Sequence, residues 1–334
     1  MLILDHRQVN SLLTPELALD ALRSGLAEQA AGNVQMPPRQ TTDAGDGKGG
    51  LDRHTGANWL RISSAFLNSS GVMGFKAMNR AAGLGMRYLI GLYDIASGEL
   101  LALLDADEVT TARTAAVSAL GTHLLADPSS TTVGILGSGV QARALITAYA
   151  KLCTVDRVLV FSPTPASRDS FAALVSETIG VPAESVGDPE AVTEATTVLV
   201  AVRATRDPVF LAKWLRPGMH VTGLSSVRYD AREVDDETWR RADIVVVDDR
   251  VNVAQSGDAL SISRTGAYDL SRAPELWSAY QGDVARTRTD EITLFKSAGN
   301  AMQDITLAGA VARRAREQGM GLDVPDFPNV KPYA

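Results

Sequence analysis

Between Thr131 and Ala142 the chain reads Thr-Thr-Val-Gly-Ile-Leu-Gly137-Ser138-Gly139-Val140-Gln141-Ala142, a β-branched run that breaks into G-x-G-x-x-A and then into a helical pattern. Thr131 to Leu136 has the character of a buried strand, and Ala142, Leu145, Ile146 and Tyr149 recur on one face of the helix that follows. A strand-to-helix turn of this composition reads as a dinucleotide-binding turn. Gly137 lets the chain bend sharply, Gly139 leaves room for a pyrophosphate, and Ala142 lets the helix sit close to the strand. The phosphates then lie at the start of a helix from Val140 to Lys151, where free N–H groups and the helix dipole favour negative charge. Gly137, Ser138, Gly139, Val140 and Gln141 are the residues expected to touch the cofactor. The alternative is a plain glycine-rich turn without a ligand.

The sequence on either side separates two kinds of organisation. Before the turn, Leu2 to Leu4 reads as a strand, and Thr14 caps a helix to about Gly32 with Pro15 at its first position. A Met36-Pro37-Pro38-Arg39 turn follows. Alternating runs between Trp59 and Leu104, with Ala96 to Glu99 as a hairpin turn, predict an antiparallel sheet. A helix from about Ala106 to Ala126 leads into the glycine turn. After it, strands alternate with helices: Arg157 to Phe161, a helix from Ala166 to Thr178, Thr197 to Val202, a helix around Leu211, His220 to Thr222, a helix from Asp235 to Arg241, and Ile244 to Val247. That order predicts βαβ units and a parallel sheet. Ser297 to Gly319 reads as one long amphipathic helix. The expected fold is α/β, a Rossmann-type doubly wound parallel sheet domain (116–307) inserted in an α+β substrate-binding and dimerisation domain (1–115 and 308–334).

Composition narrows the partners. The net charge of -7 argues against nucleic acid, whose phosphates select visibly basic surfaces. The single cysteine, Cys153, excludes an internal disulfide and a cysteine metal cluster, and the four histidines show no ligand spacing, so no metal is expected. No run of about 18 apolar residues suggests a membrane span, and a cytoplasmic location fits best.

Three runs carry a resemblance. Asp105-Ala-Asp-Glu-Val-Thr-Thr-Ala-Arg113-Thr-Ala-Ala-Val-Ser-Ala, the glycine turn, and Phe295-Lys-Ser-Ala-Gly299-Asn-Ala-Met-Gln-Asp304 look like the ornithine cyclodeaminase and μ-crystallin family, with Met36-Pro-Pro-Arg39 and Gly74-Phe-Lys76 in the same order and spacing. The resemblance implies a nicotinamide cofactor, a small amino or imino acid substrate, and a homodimer formed through the non-Rossmann domain. Ser297, within the third run, joins the expected cofactor contacts.

The basic residues of these runs are the expected catalytic and substrate-binding groups. Arg39 follows two prolines, which stiffen its backbone, and its family counterpart contacts the substrate carboxylate; otherwise it is a surface arginine in a loop. Lys76 lies in an apolar strand pattern, either on the solvent face or aimed into a pocket. In a pocket its ammonium binds carboxylate or donates a proton to the reacting nitrogen. Arg113 sits in a helix otherwise made of Thr, Ala and Val, where a guanidinium has little reason to be unless it pairs with an anion. A planar carboxylate takes two parallel N–H bonds from guanidinium, which aligns the α-carbon for hydride transfer.

Two departures from the family pattern sharpen the reading. Cyclodeaminases carry an aspartate in a loop after a Rossmann strand, and anchoring that loop on Glu233 places Val227 at the aspartate position, which favours a reductase or dehydrogenase. In Trp59-Leu-Arg61-Ile-Ser-Ser64 the additional Arg61 either meets a second carboxylate or lies on the outward face of a strand. Cofactor choice turns on the end of the second Rossmann strand. Ser162 replaces the acidic residue that binds a ribose 2′-hydroxyl, and Thr164, Ser167 and Arg168 offer donors for a 2′-phosphate, so NADP(H) is preferred with NAD(H) possible. The expected activity is an NAD(P)H-dependent imine reductase or amino acid dehydrogenase. The alternatives are an ammonia-releasing cyclodeaminase and a non-catalytic NADP-binding protein of the crystallin kind.

Overall fold

The first helix of any length shows how local chemistry fixes the elements. Thr14 accepts the Leu17 N–H at 3.1 Å, Pro15 occupies the first helical position, and the helix runs Pro15–Ala30 with Leu19, Leu22 and Leu26 buried. The computed structural model describes all residues except 44–57, 82–83, 203–204, 225–230, 326, 330 and 332–334. The chain divides into two compact units, Met1–Arg113 with Asn300–Ala334, and Thr114–Gly299.

In the first unit an eight-stranded sheet runs in the order Leu322–Asp323, Leu2–Leu4, Leu100–Asp105, Gly85–Asp94, Val72–Ala81, Trp59–Leu67 and Val34–Gln35, with Gln40–Asp43 also paired to Trp59–Leu67. Its pairings are antiparallel apart from Leu2–Leu4 beside Leu100–Asp105. The helix Ala301–Glu317 lies across the three longest strands and against Pro15–Ala30. Gly74 permits that approach, since a Cβ there would fall 2.9 Å from Ile305 Cδ1 and 2.5 Å from the Gly91 carbonyl oxygen. Because side chains alternate across a strand, the row Ser63, Lys76, Ile90, Leu104 faces the helices with Gly74. The opposite face carries Leu60, Ile62, Phe66 and Leu89, all exposed.

The second unit is a seven-stranded sheet, parallel throughout, in the order Ala183–Ser185, Arg157–Phe161, Thr132–Leu136, Val198–Ala201, His220–Leu224, Thr293–Ser297, Ile244–Val247. The first strand in chain order lies inside the sheet; the next two extend to one side and the later ones to the other. That is the doubly wound order, with its switch point beside Thr132–Leu136. Aspartates cap several of its short helices, Asp188, Asp235 and Asp249 each accepting an N–H of the first turn.

Three expectations are corrected. The helix around Leu211 is a single 3-10 turn, Ala212–Trp214, confined between Pro208 and Pro217. Ser297 does not open the last helix but closes the strand Thr293–Ser297, and the helix starts at Ala301 after Gly299 turns the chain at φ 73° and Asn300 caps it. The unit boundary therefore falls at Asn300 rather than at 307/308, since the helix from its cap onward packs in the first unit.

Candidate active site

In the second unit the glycine turn has the features that a pyrophosphate requires. Gly137 has φ 138°, where an added Cβ would stand 2.9 Å from Val202 Cγ2 and 3.1 Å from the Val202 carbonyl oxygen, so a side chain is excluded twice over. Its N–H donates to the Phe161 carbonyl at 2.8 Å, tying the turn to the end of the neighbouring strand. Gly139 is the N-cap of the helix Val140–Tyr149, with no side-chain cap on the first-turn N–H groups and nothing within 4 Å of where a Cβ would stand. Val140 is exposed beside it, half-buried Ser138 precedes it, and Gln141 Oε1 is buried without a hydrogen-bond partner among the described residues. An uncapped helix start, an open cradle and an unused buried acceptor fit a dinucleotide.

At the end of the strand Arg157–Phe161, Ser162 is buried, and the Arg168 guanidinium folds back over it. Nη1 donates to the Ser162 carbonyl at 3.1 Å and Nε to Ser185 Oγ at 3.1 Å. Thr164 occupies the cap position of the helix Pro165–Ile179 but its hydroxyl makes no capping bond, and the first turn holds no acidic residue. Ser297 behaves differently from the expectation of a free contact. Its hydroxyl donates to Asp248 Oδ2 at 2.7 Å, and the same carboxylate accepts the N–H groups of Ala298 at 2.9 Å and Gly299 at 2.7 Å. Asp248 thus fixes the backbone of this segment, a role that sequence reasoning missed.

In the first unit Lys76 and Arg113 converge on one carboxylate. Lys76 Nζ lies 2.6 Å from Asp304 Oδ2, and Arg113 Nε lies 3.0 Å from Asp304 Oδ1. The second contact is close but misaligned for a hydrogen bond, whereas Arg113 Nη1 donates squarely to Gln303 Oε1 at 2.9 Å. Lys76 and Arg113 are each 8% exposed and Asp304 is 2% exposed. The open choice for Lys76 is settled by register, which points it at the helices and away from solvent. Arg39 reaches this cluster electrically, as its charge bears on Lys76, and the Met36 sulfur accepts the Met302 N–H at 3.3 Å, docking the Met36-Pro37-Pro38-Arg39 segment at the start of the same helix. Arg61 is buried on the helix side, not on the outward face; Nε donates to Thr41 Oγ1 at 3.0 Å and the guanidinium stands 5.3 Å from the Trp59 ring centroid.

Electrostatics follow from burial. Desolvation lowers the Lys76 pKa to about 8; Asp304 opposes the shift, while Arg113 and Arg39 add to it. Burial raises the Tyr88 hydroxyl, which shares the field of Asp107, Arg113, Asp304 and Arg61. Sequence reasoning gave no role to Tyr88, Gln303 or Asp304. The last two stood in the Phe295–Asp304 run, but what they touch lies far away along the chain.

Two other expectations meet the described residues only in part. Glu233, the anchor of the cyclodeaminase comparison, is buried with Lys296 Nζ at 2.9 Å, and Lys296 also lies 2.5 Å from Asp258 Oδ2. Val227 itself lies outside the described residues. His6, Asp107 and Glu108 bring their ligand atoms within 4.8 Å of one another at the surface. There the two acids occupy the first turn of a helix, which favours negative charge without a metal.

The model of the ornithine cyclodeaminase/mu-crystallin family matches residues 1–319. The chain is 30% identical over 313 residues to the ketimine reductase mu-crystallin of Mus musculus, covering 92% of this chain and 93% of that one. It is 33% identical over 237 residues to a Delta(1)-pyrroline-2-carboxylate reductase of Bacillus cereus, covering 70% of this chain and 72% of the other. Among solved structures, the Thermococcus litoralis Delta(1)-pyrroline-2-carboxylate reductase in complex with NADH and L-proline superposes with a TM-score of 0.88 at 28% identity, over 97% of this chain and 100% of that one.

Proposed function

The chain belongs to the ornithine cyclodeaminase/mu-crystallin family, and from that premise we propose that it is an NAD(P)H-dependent oxidoreductase that reduces the C=N bond of small imino acids and, in reverse, oxidises the corresponding amino acids. The observation that carries this reading is the buried Lys76 ammonium 2.6 Å from Asp304 with Arg113 on the same carboxylate. Buried ion clusters of this kind are costly as stabilising devices and common where chemistry needs a tuned proton.

When bound, the nicotinamide supplies or accepts the hydride. Arg113 and Arg39 hold the substrate carboxylate, and the guanidinium geometry fixes the plane of the α-carbon. Lys76 gives a proton to the imine nitrogen in reduction and takes it back from the amine in oxidation. In the second unit Gly137, Ser138, Gly139, Val140 and Gln141 cradle the pyrophosphate. The absence of an acid at Ser162, with Arg168 and Thr164 beside it, supports NADP(H) over NAD(H). Arg61 is assigned to a second carboxylate when the substrate carries one; an Arg61→Ala variant that loses monocarboxylate and dicarboxylate imines equally removes that assignment.

The exposed apolar row Leu60, Ile62, Phe66 and Leu89 supports a homodimer built on the first unit. Among the described residues no helix is long and apolar enough to cross a membrane. The scarcity of cysteine supports a cytoplasmic setting.

The deciding experiment follows NADPH and NADH oxidation over preformed cyclic imino acids, over 2-oxo acids with ammonia or methylamine, and over oxaloacetate with ammonia. Turnover of at least one imino carboxylate, lost in Arg113→Ala, is expected. No turnover with tight cofactor binding retained overturns the reading in favour of a binding protein.

A further inference from the structure

We propose that Asp304 is a positioning residue for this reaction, one that keeps the Lys76 ammonium charged and fixes the Arg113 guanidinium beside it, so that the proton donor and the carboxylate ligand are set by a single side chain. The proposal rests on the reading of Lys76 as the proton donor.

The geometry carries it first. Asp304 directs its two oxygens at two different cations, Oδ2 to Lys76 Nζ at 2.6 Å and Oδ1 to Arg113 Nε at 3.0 Å. A carboxylate serving only to neutralise one partner has no need of both. The two cations come from separate elements, Lys76 from the strand Val72–Ala81 and Arg113 from the helix that begins at Asp107, and the carboxylate is the atom group they share. Asp304 is itself set firmly: it lies in the first turn of Ala301–Glu317, where Asn300 Oδ1 accepts the Gln303 N–H at 3.1 Å and the Met36 sulfur accepts the Met302 N–H. Gln303, its neighbour, holds the other side of the guanidinium.

The charges around the lysine carry it second. Arg113 faces it from one helix, Asp304 from another, and Arg39 from the segment after the two prolines. Arg61 and Tyr88 stand on the neighbouring strands, on the same side of the sheet, with Asp107 acting on Tyr88. Burial and the two arginines all favour a neutral amine. Of the groups that bear on Lys76, Asp304 is the one that favours the ammonium, both through its charge and through its hydrogen bond.

The chemistry needs that balance. In reduction, the C=N carbon gains a hydride and the nitrogen gains a proton, so one Lys76 N–H bond breaks as one substrate N–H bond forms. The lysine is left as a neutral amine and regains its proton from water. A lysine that had already lost its proton near neutral pH has nothing to give. A lysine held at its ordinary value releases its proton too reluctantly to act as base in the reverse direction.

The test compares wild type, Asp304→Asn, Asp304→Glu and Lys76→Met as purified full-length chains. It reads the pH dependence of kcat/KM in both directions, together with the 15N-resolved titration of the Lys76 amine without substrate. In wild type, reduction falls and amino acid oxidation rises as pH increases through about 8. In Asp304→Asn both limbs move down by a unit or more, so that reduction loses about fivefold or more at pH 8 and far less at pH 6, and the NMR titration moves with them. Asp304→Glu returns part of the shift. A uniform loss at every pH, with the limb unmoved, overturns the role given to Asp304 and leaves Lys76 as donor. A limb that persists in Lys76→Met overturns the reading of Lys76 itself. Should Asp304→Asn fail to fold, Asp304→Ser takes its place: an unmoved limb and an unmoved titration in that variant overturn the proposal.

Discussion

Gln303 Oε1 accepts a hydrogen bond from Arg113 Nη1 at 2.9 Å, and the two residues are 190 positions apart in the chain. The amide is buried, and it fixes the rotation of the guanidinium that the adjacent Asp304 contacts through Nε. With Nη1 donating to Gln303 and Asp304 lying against Nε, the proposed carboxylate ligand role leaves the Nη2 side of the fork to meet an incoming carboxylate. Replacing Gln303 by Leu keeps the volume and removes the acceptor, leaving a buried N–H unsatisfied at a cost of about 1–3 kcal/mol. The expected outcome is a KM for the imino acid raised by about one order of magnitude, with the cofactor KM unchanged. Arg113→Lys, which loses the two-pronged geometry, is expected to cost more than Gln303→Leu in the same steady-state assay. An unchanged imino acid KM in both variants would place the carboxylate elsewhere.

Cofactor choice makes a separate prediction. The Arg168 guanidinium rests against the Ser162 carbonyl oxygen, at the end of the strand next to the glycine turn. A 2′-phosphate brought there gains a charge-assisted partner, worth on the order of 1.5–3 kcal/mol. Arg168→Ala is expected to weaken NADPH by about tenfold or more and to leave NADH within a factor of about two. Ser162→Asp, which restores a carboxylate, should turn the preference toward NADH. Titration of each cofactor by fluorescence checks both, and equal losses for the two cofactors in Arg168→Ala would remove the assignment of NADP(H).

Stability should carry a pH signature from the second unit. His220 is fully buried, with Nδ1 and Nε2 each 2.8 Å from a threonine hydroxyl, of Thr293 and Thr222 respectively. Burial, with Arg286 adding to it, lowers its pKa from 6.5 to about 3. The unfolded chain therefore binds a proton here that the folded chain refuses between about pH 3 and 6.5, and the folded state loses stability as pH falls through that window, at about 1.4 kcal/mol per unit. His220→Gln keeps polar partners for both threonines and removes the titration. Urea unfolding of both proteins at pH 7, 5.5 and 4.5 should show the wild type losing its lead over the variant as the pH drops. A lead that stays constant would mean the imidazole is not held neutral.

What could be read from sequence divides along physical lines. The glycine turn and its strands were legible because the signal is local: Gly137 is demanded by its backbone conformation and by the closeness of Val202, Gly139 leaves the open space that a pyrophosphate needs, and the alternation of Arg157–Phe161 with Pro165–Ile179 is periodicity. The Thr14-Pro15 helix start was legible for the same reason. Lys76 was only half legible, because its strand is apolar on both faces and alternation cannot say which face a helix will cover. Gln303, Asp304 and Tyr88 were illegible as site residues, since their meaning lies in partners brought near by the sheet and the last helix. Ser297 was misplaced because the short run Thr293–Ser297 merges in pattern with the helix after it, and only the fold reveals the turn at Gly299 that separates them.

The outer face of the first unit's sheet yields the last prediction. Register aligns Ile62, Ala77 and Leu89 in one row across three strands, and Phe66, Met73 and Tyr93 in another, on the face opposite Lys76. Ile62, Phe66 and Leu89 are exposed by 43%, 39% and 41%. Two such rows make a contiguous apolar surface of the kind that a monomer does not leave in water, and a second copy presenting the same rows would cover it by sheet-on-sheet packing. Leu89→Glu introduces a charge at the centre of that surface. In a two-fold dimer each charge enters the interface once from each copy, so the penalty of burying it is counted twice. Analytical ultracentrifugation is expected to show a dimer for the wild type and a shift to monomer at micromolar concentration for Leu89→Glu, with Arg87→Glu at the rim having a smaller effect. A Leu89→Glu protein that sediments as the wild type does would exclude this face as the contact between copies.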